Sequence, residues 1–232
     1  MSERRTGGRR GKSARSGGGI EQLPWQQVRN PYPGFELASP EEMERLHATS
    51  MRVLSELGIR VIGDNVLDLF AEAGALVDRD TGIVRIDEEL VNAALATVPR
   101  TFTLTSRNPA KRIEMGGNAL NFGLVAGPPN VHDRVNGRRS GNYTDYCNFI
   151  RLAHHFNAIH IIGNQVMAPV EMPANTRHLD TYLANLTLSD LSFHCTAIGR
   201  GRALDGIEMM AIARGQTLEQ MATDPGVITI IS

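Results

Sequence analysis

The sequence predicts an α/β protein in which a helix-rich module is followed by parallel βα units. Four short apolar runs, each bounded by turn-forming residues, begin near residues 120, 159, 191 and 227, and such runs are typical of buried strands. They recur roughly every 35 residues with amphipathic helical patterns between them, as in βα repeats with parallel strands. Either an open doubly wound sheet or a (β/α)8 barrel would produce this pattern.

The composition is that of an ordinary soluble globular protein. The 232 residues include 41% hydrophobic and 21% charged side chains, enough for one sizeable core or two small ones. No apolar run approaches the roughly 20 residues of a membrane span, and the N-terminus lacks the apolar core of a secretory signal. Cys147 and Cys195 give no disulfide framework, so we expect a cytoplasmic protein, and without CxxC or HExxH spacing we expect no metal site.

The charge is unevenly distributed along the chain. Residues 1–19 contain six Arg or Lys against one Glu, a net of +5, whereas the remaining 18 basic and 24 acidic residues give −6. This Gly/Ser/Arg-rich stretch has no apolar periodicity and cannot fold alone. We therefore expect residues 1–38 to form a disordered basic leader and linker, and nucleic-acid binding through it is the weaker interpretation.

A helix-rich opening module is predicted over residues 39–115. Ser39 and Glu42 have the spacing of a capping box, which marks a helix start, and Gly58 is placed to end that helix. Two further helices follow, separated by a hairpin over residues 75–86. Nothing in this module has the arrangement of a catalytic constellation.

The remaining residues, 116–232, are predicted to form the parallel sheet and the helices that cover it. The predicted strands and helices are, in order, 120–125, a loop to Gly141, helix 144–156, strand 159–162, helix 175–188, strand 191–198, helices 202–214 and 217–222, and strand 227–231. The chain ends at Ser232 directly after the fourth strand, although a parallel strand needs cover on both faces. We therefore expect this chain to be the front part of a longer protein.

Several segments of the opening module resemble one enzyme family. They are EEMERLH at 41–47, LSELGI at 54–59, LFAEAGA at 69–75, VRIDEELV at 84–91, and ATVPR at 96–100 leading into TLTSRNP at 103–109. Together with the order of the later segments, including Phe122-Gly123, they resemble the trimethylamine methyltransferase family, the corrinoid-dependent amine methyltransferases. The resemblance covers roughly residues 30–232.

The resemblance implies a (β/α)8 barrel, of which this chain would supply the N-terminal module and the first four βα units. It also implies transfer of a methyl group from trimethylamine or a betaine-type quaternary amine to the cobalt of a corrinoid. A partner protein would carry that methylcorrinoid, so we expect no cofactor bound directly to this chain. Some family members carry pyrrolysine in the later half of the barrel, beyond Ser232. An isolated half-barrel would expose sheet edge and apolar surface, so we expect a homo-oligomer.

In barrel enzymes, ligand-binding groups lie on the loops that follow the carboxyl ends of the strands. The polar residues in such positions after the first three predicted strands are Asn130, His132 and Asp133, then Asn164, Gln165 and Glu171, then Cys195, Thr196 and Arg200. Asn164, Gln165 and Glu171 form the best single cluster for ligand contact. Cobalt would be the nucleophile, so the sequence assigns no catalytic residue.

The chemistry of a methylated amine narrows these candidates. A quaternary or protonated amine needs an apolar, often aromatic cage together with a counter-charge or dipoles. The side chains that could provide the cage and the counter-charge are Tyr143, Asp133 and Glu171. Asn164 and Gln165 could orient a polar head group, and a substrate carboxylate would pair with an arginine such as Arg134 or Arg200.

Structural interpretations compete with these assignments. Asn164 and Gln165 would equally well satisfy buried backbone groups. His160 and His194 alternate with apolar strand residues and face either the barrel or its helices, and a metal role for them is disfavoured. Cys195 has the character of a small core residue more than of a nucleophile.

A second class of function also remains open from the sequence. A truncated, non-catalytic paralogue or fragment would bind ligand or associate with full-length subunits without turning substrate over. Methyl transfer to a corrinoid would distinguish the enzyme from this alternative.

Overall fold

The computed structural model describes residues 20–196 and 198–230. These divide into two compact units. The sheet unit comprises the described residues up to Val28 together with residues 103–113 and 121–230, and the helical unit comprises residues 29–102 and 114–120. The predicted basic stretch 1–19 lies outside the described residues, as do Ala197 of the third predicted strand and Ile231 of the fourth.

Seven α-helices and twelve short strands occupy the described chain. The helices are α1 (Pro40–Arg52), α2 (Asp64–Glu72), α3 (Glu88–Ala96), α4 (Tyr143–His155), α5 (Arg177–Leu188), α6 (Arg200–Arg214) and α7 (Leu218–Thr223). The strands are β1 (Val28–Arg29), β2 (Ile59–Arg60), β3 (Leu76–Asp78), β4 (Ile83–Arg85), β5 (Thr101–Leu104), β6 (Ile113–Gly116), β7 (Ala119–Leu120), β8 (Asn130–Asp133), β9 (Gly137–Ser140), β10 (Ile161–Ile162), β11 (Ser192–His194) and β12 (Val227–Ile228). Within the described residues, no helix is long and apolar enough to cross a membrane.

The helical unit starts with the predicted capping box. The Ser39 hydroxyl accepts a hydrogen bond from the Glu42 N–H, and the Glu42 carboxylate accepts one from the Ser39 N–H. Helix α1 continues as a π-helical turn, Val53–Leu57, and ends at Gly58 with φ 78°. A Cβ on Gly58 would lie 2.5 Å from the Val84 carbonyl oxygen, so only glycine allows this approach of the helix end to β4.

The three-stranded sheet of the helical unit is antiparallel, in the order β2-β4-β3. The pairing of β3 with β4 confirms the hairpin predicted over residues 75–86. Its turn is closed by the Asp78 carboxylate, which accepts hydrogen bonds from the Thr81 hydroxyl and the Asp80 N–H, as expected of an aspartate at the first turn position.

The sheet unit contains a three-stranded parallel sheet in the order β10-β11-β12, in which Ile162 pairs with Phe193 and Phe193 with Val227. Helix α5 connects the first two strands, and α6 and α7 connect the last two. A single parallel bridge joins Gly123 to Ile161 on the other side of β10. This arrangement confirms the α/β class and the parallel βα order, and no closed barrel is formed by the described residues.

The helices of the sheet unit share one core with one face of the sheet. Ile162 and Phe193 belong to a buried cluster that also contains Tyr146 of α4, Tyr182 of α5 and Met210 of α6. Successive side chains of a strand point to opposite faces. The neighbouring residues of these strands, Ile161, Ser192 and His194, therefore lie on the face turned away from the helices.

The first predicted strand, residues 120–125, is not a regular strand in the structure. The Phe122 N–H donates to Nδ1 of His160 (3.0 Å) instead of to a strand carbonyl, while the Phe122 carbonyl accepts from the His160 N–H (2.8 Å). Because one ladder donor is diverted to a side chain, strand pairing stops at the Gly123–Ile161 bridge. The predicted loop after this segment contains the antiparallel hairpin β8–β9, which the sequence analysis missed.

Helix α6 approaches the sheet closely at Gly206, which is buried. A Cβ built on Gly206 would lie 2.2 Å from Sγ of Cys195 and 3.1 Å from the ring of Tyr182. The cysteine side chain is short and fully packed, so it cannot move aside at low cost. The absence of a side chain at Gly206 therefore sets the distance between α6 and the end of β11.

We predict that Gly206→Ala destabilises the protein by about 1–2 kcal/mol, because overpacking of the core outweighs the gain of about 1 kcal/mol in helix propensity. The matched control is Gly201→Ala in the same helix, where a Cβ meets nothing within 4 Å and stability should rise slightly. Urea unfolding of both variants measures the difference. A Gly206→Ala protein as stable as Gly201→Ala would refute the packing argument.

The segment 103–113 crosses the amino ends of β11 and β12. The Thr105 N–H donates to the Pro225 carbonyl (2.9 Å), just before β12. Just before β11, the Asp190 carboxylate accepts from Lys111 Nζ (2.8 Å) and from Asn108 Nδ2 (3.0 Å). Although burial opposes its charged form, the hydrogen bonds from Lys111 and Asn108 lower the pKa of Asp190.

We predict that Asp190→Asn lowers the free energy of unfolding by about 1–3 kcal/mol at neutral pH, since the charge-assisted hydrogen bonds are lost. The pKa of Asp190 is lower in the folded state. Its contribution is therefore complete above the unfolded pKa of about 4 and disappears as the pH falls through the folded value. The stability difference between wild type and variant should thus shrink below about pH 4. Asp80→Asn in the exposed β3–β4 turn is the control, and a pH-independent difference for Asp190→Asn would contradict the assignment.

Candidate functional site

The parallel pairing brings the carboxyl ends of β10, β11 and β12 to one edge of the sheet, here called the carboxyl edge. Asn164 lies at this edge, one residue beyond Gly163 at the end of β10. Its Oδ1 atom is buried and has no hydrogen-bond partner within the described residues. A buried acceptor without a donor costs about 1–3 kcal/mol, so this atom is suited to a ligand that supplies a donor or a positive charge.

Gln165 follows with a strained backbone. Its φ of 23° is the one positive value of a non-glycine residue in the described chain, and side chains rarely adopt this region. The Gln165 carbonyl accepts a hydrogen bond from the Gly127 N–H (2.9 Å), and the Ala168 N–H donates to the Pro128 carbonyl (3.1 Å). These two bonds hold the loop after β10 in the conformation that presents Asn164 and Gln165.

The end of β11 is held by the hydroxyl of Tyr182. This oxygen accepts a hydrogen bond from the Thr196 N–H (2.7 Å) and donates to the Arg202 carbonyl (3.4 Å). Burial raises the pKa of Tyr182 to about 12, so its hydroxyl stays protonated at neutral pH. Burial likewise raises the pKa of the Cys195 thiol to about 12, which fits a packed thiol and not a nucleophile.

A histidine–carboxylate pair that the sequence analysis missed lies behind this edge. His178 of α5 is buried, and its Nε2 lies 2.7 Å from Oδ2 of Asp205 in α6. Its Nδ1 is buried without a partner among the described residues, and its ring packs edge-on against Tyr182. His178 and Tyr182 are four residues apart and so share one face of α5, which was the one sign of this pair in the sequence. The same spacing is typical of an ordinary core helix, so it does not single out a functional residue.

Two strand residues offer polar groups on the sheet face turned away from the helices. The Oγ of Ser192 is buried and has no hydrogen-bond partner in the part of the chain that the structure describes. His194 is half-buried, and burial lowers its pKa, so its imidazole is neutral at physiological pH. This face therefore carries neutral polar groups next to the apolar Ile161.

Tyr143 and Glu171, two of the predicted site residues, lie next to each other. The Glu171 carboxylate accepts a hydrogen bond from the Tyr143 N–H, and the Tyr143 hydroxyl donates to the Asp180 carbonyl (3.2 Å). The Tyr143 ring lies nearly parallel to that of Tyr146, with 6.5 Å between centroids. Burial raises the pKa of Tyr143 to about 12. Glu171 itself is exposed.

His132 and Asp133 lie on the β8–β9 hairpin. Hydrogen bonds from the backbone and side chain of Asn136 are the main cause that lowers the pKa of Asp133 to about 2. Arg139 adds a contact to this carboxylate and makes two hydrogen bonds, of 2.6 and 2.7 Å, to Asp145. The Asp133 carboxylate is thus engaged in holding its own turn, while His132 is exposed.

The structure does not join Arg200 to the other predicted site residues. Arg200 is the exposed first residue of α6, and in residues 20–196 and 198–230 no hydrogen bond or ion pair links it to Asn164, Gln165 or Glu171. Arg134, the other proposed carboxylate partner, is exposed in the hairpin turn. The site assignments therefore stay predictions. Asn164 and Gln165 lie in one hydrogen-bonded loop, and Tyr143 and Glu171 are joined by a hydrogen bond.

His160 stabilises the opposite edge of the sheet, here called the amino edge, where the amino ends of the parallel strands lie. Its Nδ1 accepts from the Phe122 N–H, so Nε2 carries the hydrogen and donates to the Gln26 carbonyl (3.0 Å). Its ring also contacts Trp25 edge-on. Within the described residues, no three His, Cys, Asp or Glu side chains are grouped as metal ligands.

We predict that Gln165→Gly raises the free energy of unfolding by about 0.5–1 kcal/mol. Glycine adopts positive φ without the strain of about 1–2 kcal/mol that other residues incur. Relief of this strain exceeds the additional backbone entropy that glycine loses on folding. Gln165→Ala is the matched control, because it removes the same side chain and retains the strain. Thermal unfolding of both variants is the measurement, and equal stabilities would show that Gln165 is not strained.

The fold defines an α/β protein with polar side chains at the edge where its parallel strands end. Comparison with known proteins identifies the group to which it belongs. The model of the trimethylamine methyltransferase (MTTB) family matches residues 4–232. The chain therefore belongs to the trimethylamine methyltransferase family, a family of methyltransferases.

Individual relatives are similar to this chain at moderate identity. Glycine betaine methyltransferase from Desulfitobacterium hafniense (strain Y51) is 30% identical over 183 residues, which are 79% of this chain and 38% of the relative. Trimethylamine methyltransferase MttB from Desulfitobacterium hafniense (strain DSM 10664 / DCB-2) is 35% identical over 123 residues, 49% of this chain and 25% of the relative. Proline betaine:corrinoid methyltransferase from Eubacterium limosum is 27% identical over 186 residues, which are 80% of this chain and 36% of the relative. The chain thus spans less than two fifths of the length of these relatives.

Proposed function

We propose that this chain is the front part of a methyltransferase that moves a methyl group from a methylated amine to the cobalt of a corrinoid held by a partner protein. The observation that carries the proposal is the family match over residues 4–232, together with relatives named for glycine betaine, trimethylamine and proline betaine. The corrinoid would be a co-substrate delivered by its carrier protein and not a group resident in this chain. The two unpaired, buried cysteines suit the reducing cytoplasm, where we propose that the protein acts.

We further propose that the parallel sheet is the first half of a (β/α)8 barrel that follows an N-terminal module over residues 39–115. Two features support this architecture. The strands β10, β11 and β12 are adjacent in chain order, as in a barrel, and the helices α4, α5 and α6 all share a core with the same sheet face. An open doubly wound sheet would place helices on both faces.

In this proposal the methylated amine lies at the carboxyl edge, against Asn164. The unpartnered Oδ1 of Asn164 can accept the N–H of a protonated tertiary amine. A quaternary amine has no N–H and would meet the same oxygen only through its charge, which is a weaker contact. Gln165, Tyr143 and Glu171 complete the proposed surroundings of the amine, as an amide, an aromatic ring and a counter-charge.

His132, Asp133 and Arg200 complete the proposed substrate-binding set. His132 and Asp133 are presented on the β8–β9 hairpin, and Arg200 starts the helix that follows β11. An arginine at this position would suit the carboxylate of a betaine. In the proposed reaction the methyl group passes from the amine to cobalt, and the amine keeps the electron pair of the broken C–N bond. The protein would therefore bind and orient the substrate and would not carry the methyl group itself.

We predict that Asn164→Ala weakens binding of trimethylammonium to this chain at least tenfold, since a hydrogen bond to a charged group is worth about 1.5–3 kcal/mol. Binding of glycine betaine should fall less, because its quaternary nitrogen offers no donor. Asn92→Ala on the exposed surface of α3 is the matched control and should bind both compounds as wild type does. Isothermal titration calorimetry measures the three proteins, and equal affinities in all of them would contradict the proposed role of Asn164.

The alternative is a non-catalytic chain that binds ligand or associates with longer subunits. The two functions differ in turnover. When the complete protein is incubated with a reduced corrinoid protein and each candidate amine, the enzyme forms methylcobalt, which is seen as a change in corrinoid absorbance. Amine binding without methylcobalt formation by any candidate would support the alternative and overturn the enzymatic proposal for this chain.

A further inference from the structure

The parallel sheet has one face turned away from the helices, here called the free face. Its residues are Ile161 of β10, Ser192 and His194 of β11, and Ile228 of β12. Ser192 and His194 alternate with Phe193, which is buried in the core shared with the helices, so their side chains point the other way. The polar side chains of the free face thus come from one strand.

His194 lies where the free face meets the carboxyl edge, because it is the last residue of β11. On one side it pairs with Ile228 of β12. On the other side, Phe193 pairs with Ile162, and continuation of this register brings Gly163 beside His194. Glycine has no side chain and that of isoleucine is apolar, so neither neighbour offers the imidazole a hydrogen-bond partner.

The two polar side chains of the free face have no partner within residues 20–196 and 198–230. The Oγ of Ser192 is buried without a hydrogen bond, and the half-buried imidazole of His194 makes neither a hydrogen bond nor an ion pair. Polar groups away from water are normally hydrogen-bonded in folded proteins. His194, which is the less buried of the two and lies nearer the carboxyl edge, is therefore the one that a ligand can reach.

Burial alone lowers the pKa of His194, and no charged group contributes to the shift. Strands β10 and β12 contain no ionisable side chain, and the buried Cys195 thiol stays protonated because its pKa is raised to about 12. Across the amino ends of the strands, Arg107 binds a backbone carbonyl and Lys111 binds Asp190. The imidazole is thus neutral at physiological pH, with one N–H that can donate.

The backbone around His194 is held on the side of the carboxyl edge. The Cys195 N–H donates to the Ile228 carbonyl (2.8 Å), and the Thr196 N–H donates to the Tyr182 hydroxyl (2.7 Å). An unpaired side chain on a strand that is fixed in this way keeps its position before a ligand arrives, which favours binding.

A betaine presents two different groups to the carboxyl edge. Its quaternary nitrogen has no N–H, whereas its carboxylate accepts hydrogen bonds. The unpartnered oxygen of Asn164 would repel the carboxylate, but the N–H of a neutral imidazole attracts it. Asn164 comes one residue after Gly163, on the segment next to the end of β11, and adjacent strands lie about 4.8 Å apart.

We propose that His194 binds the carboxylate of a betaine-type substrate through an imidazole N–H and takes up a proton from solvent when that carboxylate arrives. The inference rests on the proposed function and names carboxylate-bearing methylated amines as its substrate class. The bound pair is an imidazolium and a carboxylate. A methylated amine without a carboxylate leaves His194 neutral.

The proton uptake has a defined sign. The pKa of His194 is lowered in the free protein, and a carboxylate nearby raises the pKa of an imidazole because it favours the charged form. Between these two values, binding of the carboxylate takes up a proton. Above both values the imidazole is neutral in either state, so the uptake disappears at alkaline pH.

Isothermal titration calorimetry of the full chain, in buffers of different ionisation enthalpy at neutral pH, measures the protons taken up. Wild type should take up protons with glycine betaine and none with trimethylammonium. His194→Gln keeps a donor but cannot titrate, so it should bind glycine betaine without proton uptake. Its affinity should fall about tenfold, because a hydrogen bond from a neutral group is roughly half as strong as one from an imidazolium.

His155→Gln is the matched control, since His155 is an exposed histidine in the last turn of α4, and it should take up protons as wild type does. Uptake that persists in His194→Gln would overturn the role of His194. Binding of glycine betaine by wild type without any uptake would do the same and leave the proposed function intact. If wild type binds neither compound, the proposed function of this chain fails, and the inference fails with it.

Discussion

The parallel pairing of β10, β11 and β12 is the constraint on which the rest of the sheet unit depends. Parallel strands share one direction, so their amino ends meet at one edge and their carboxyl ends at the other. At the amino edge, His160 and Asp190 bind other segments through several hydrogen bonds. At the carboxyl edge, Asn164 retains an unpartnered oxygen. The carboxyl edge therefore retains a buried acceptor that the described residues leave unpaired, whereas the two polar side chains of the amino edge are hydrogen-bonded.

The packing of the helices follows from the same pairing. Each crossover must return the chain to the amino edge, and α5 and α6 do so over the face that carries Ile162 and Phe193. Gly206 lets α6 come close enough for the Tyr182 hydroxyl to reach both the Thr196 N–H and the Arg202 carbonyl. One tyrosine thus links two helices to the end of a strand, and a change in helix spacing would be transmitted to the carboxyl edge.

Features determined by local sequence could be predicted, and features determined by distant contacts could not. The capping box at Ser39 depends on residues within one turn, and its prediction is confirmed. The end of the first predicted strand depends on a hydrogen bond from Phe122 to His160, 38 residues away, which no periodicity reveals. The β8–β9 hairpin was missed because its residues are polar, although Asn136-Gly137 is a common hairpin turn dipeptide.

The same distinction applies to the candidate site. Position at a strand end was enough to select Asn164 and Gln165, but the sequence cannot show that one has an unpartnered oxygen and the other a positive φ. His178 and Tyr182 have the spacing of core residues and were not selected. The unpaired buried oxygen of Asn164 and the strained backbone of Gln165 both lower the stability of the protein. Substitution of either residue could relieve the corresponding cost. In the proposed function, a methylated amine would supply the missing donor or charge to Asn164. The strained loop would already be formed before the amine arrives, so the cost of ordering the loop would not reduce affinity.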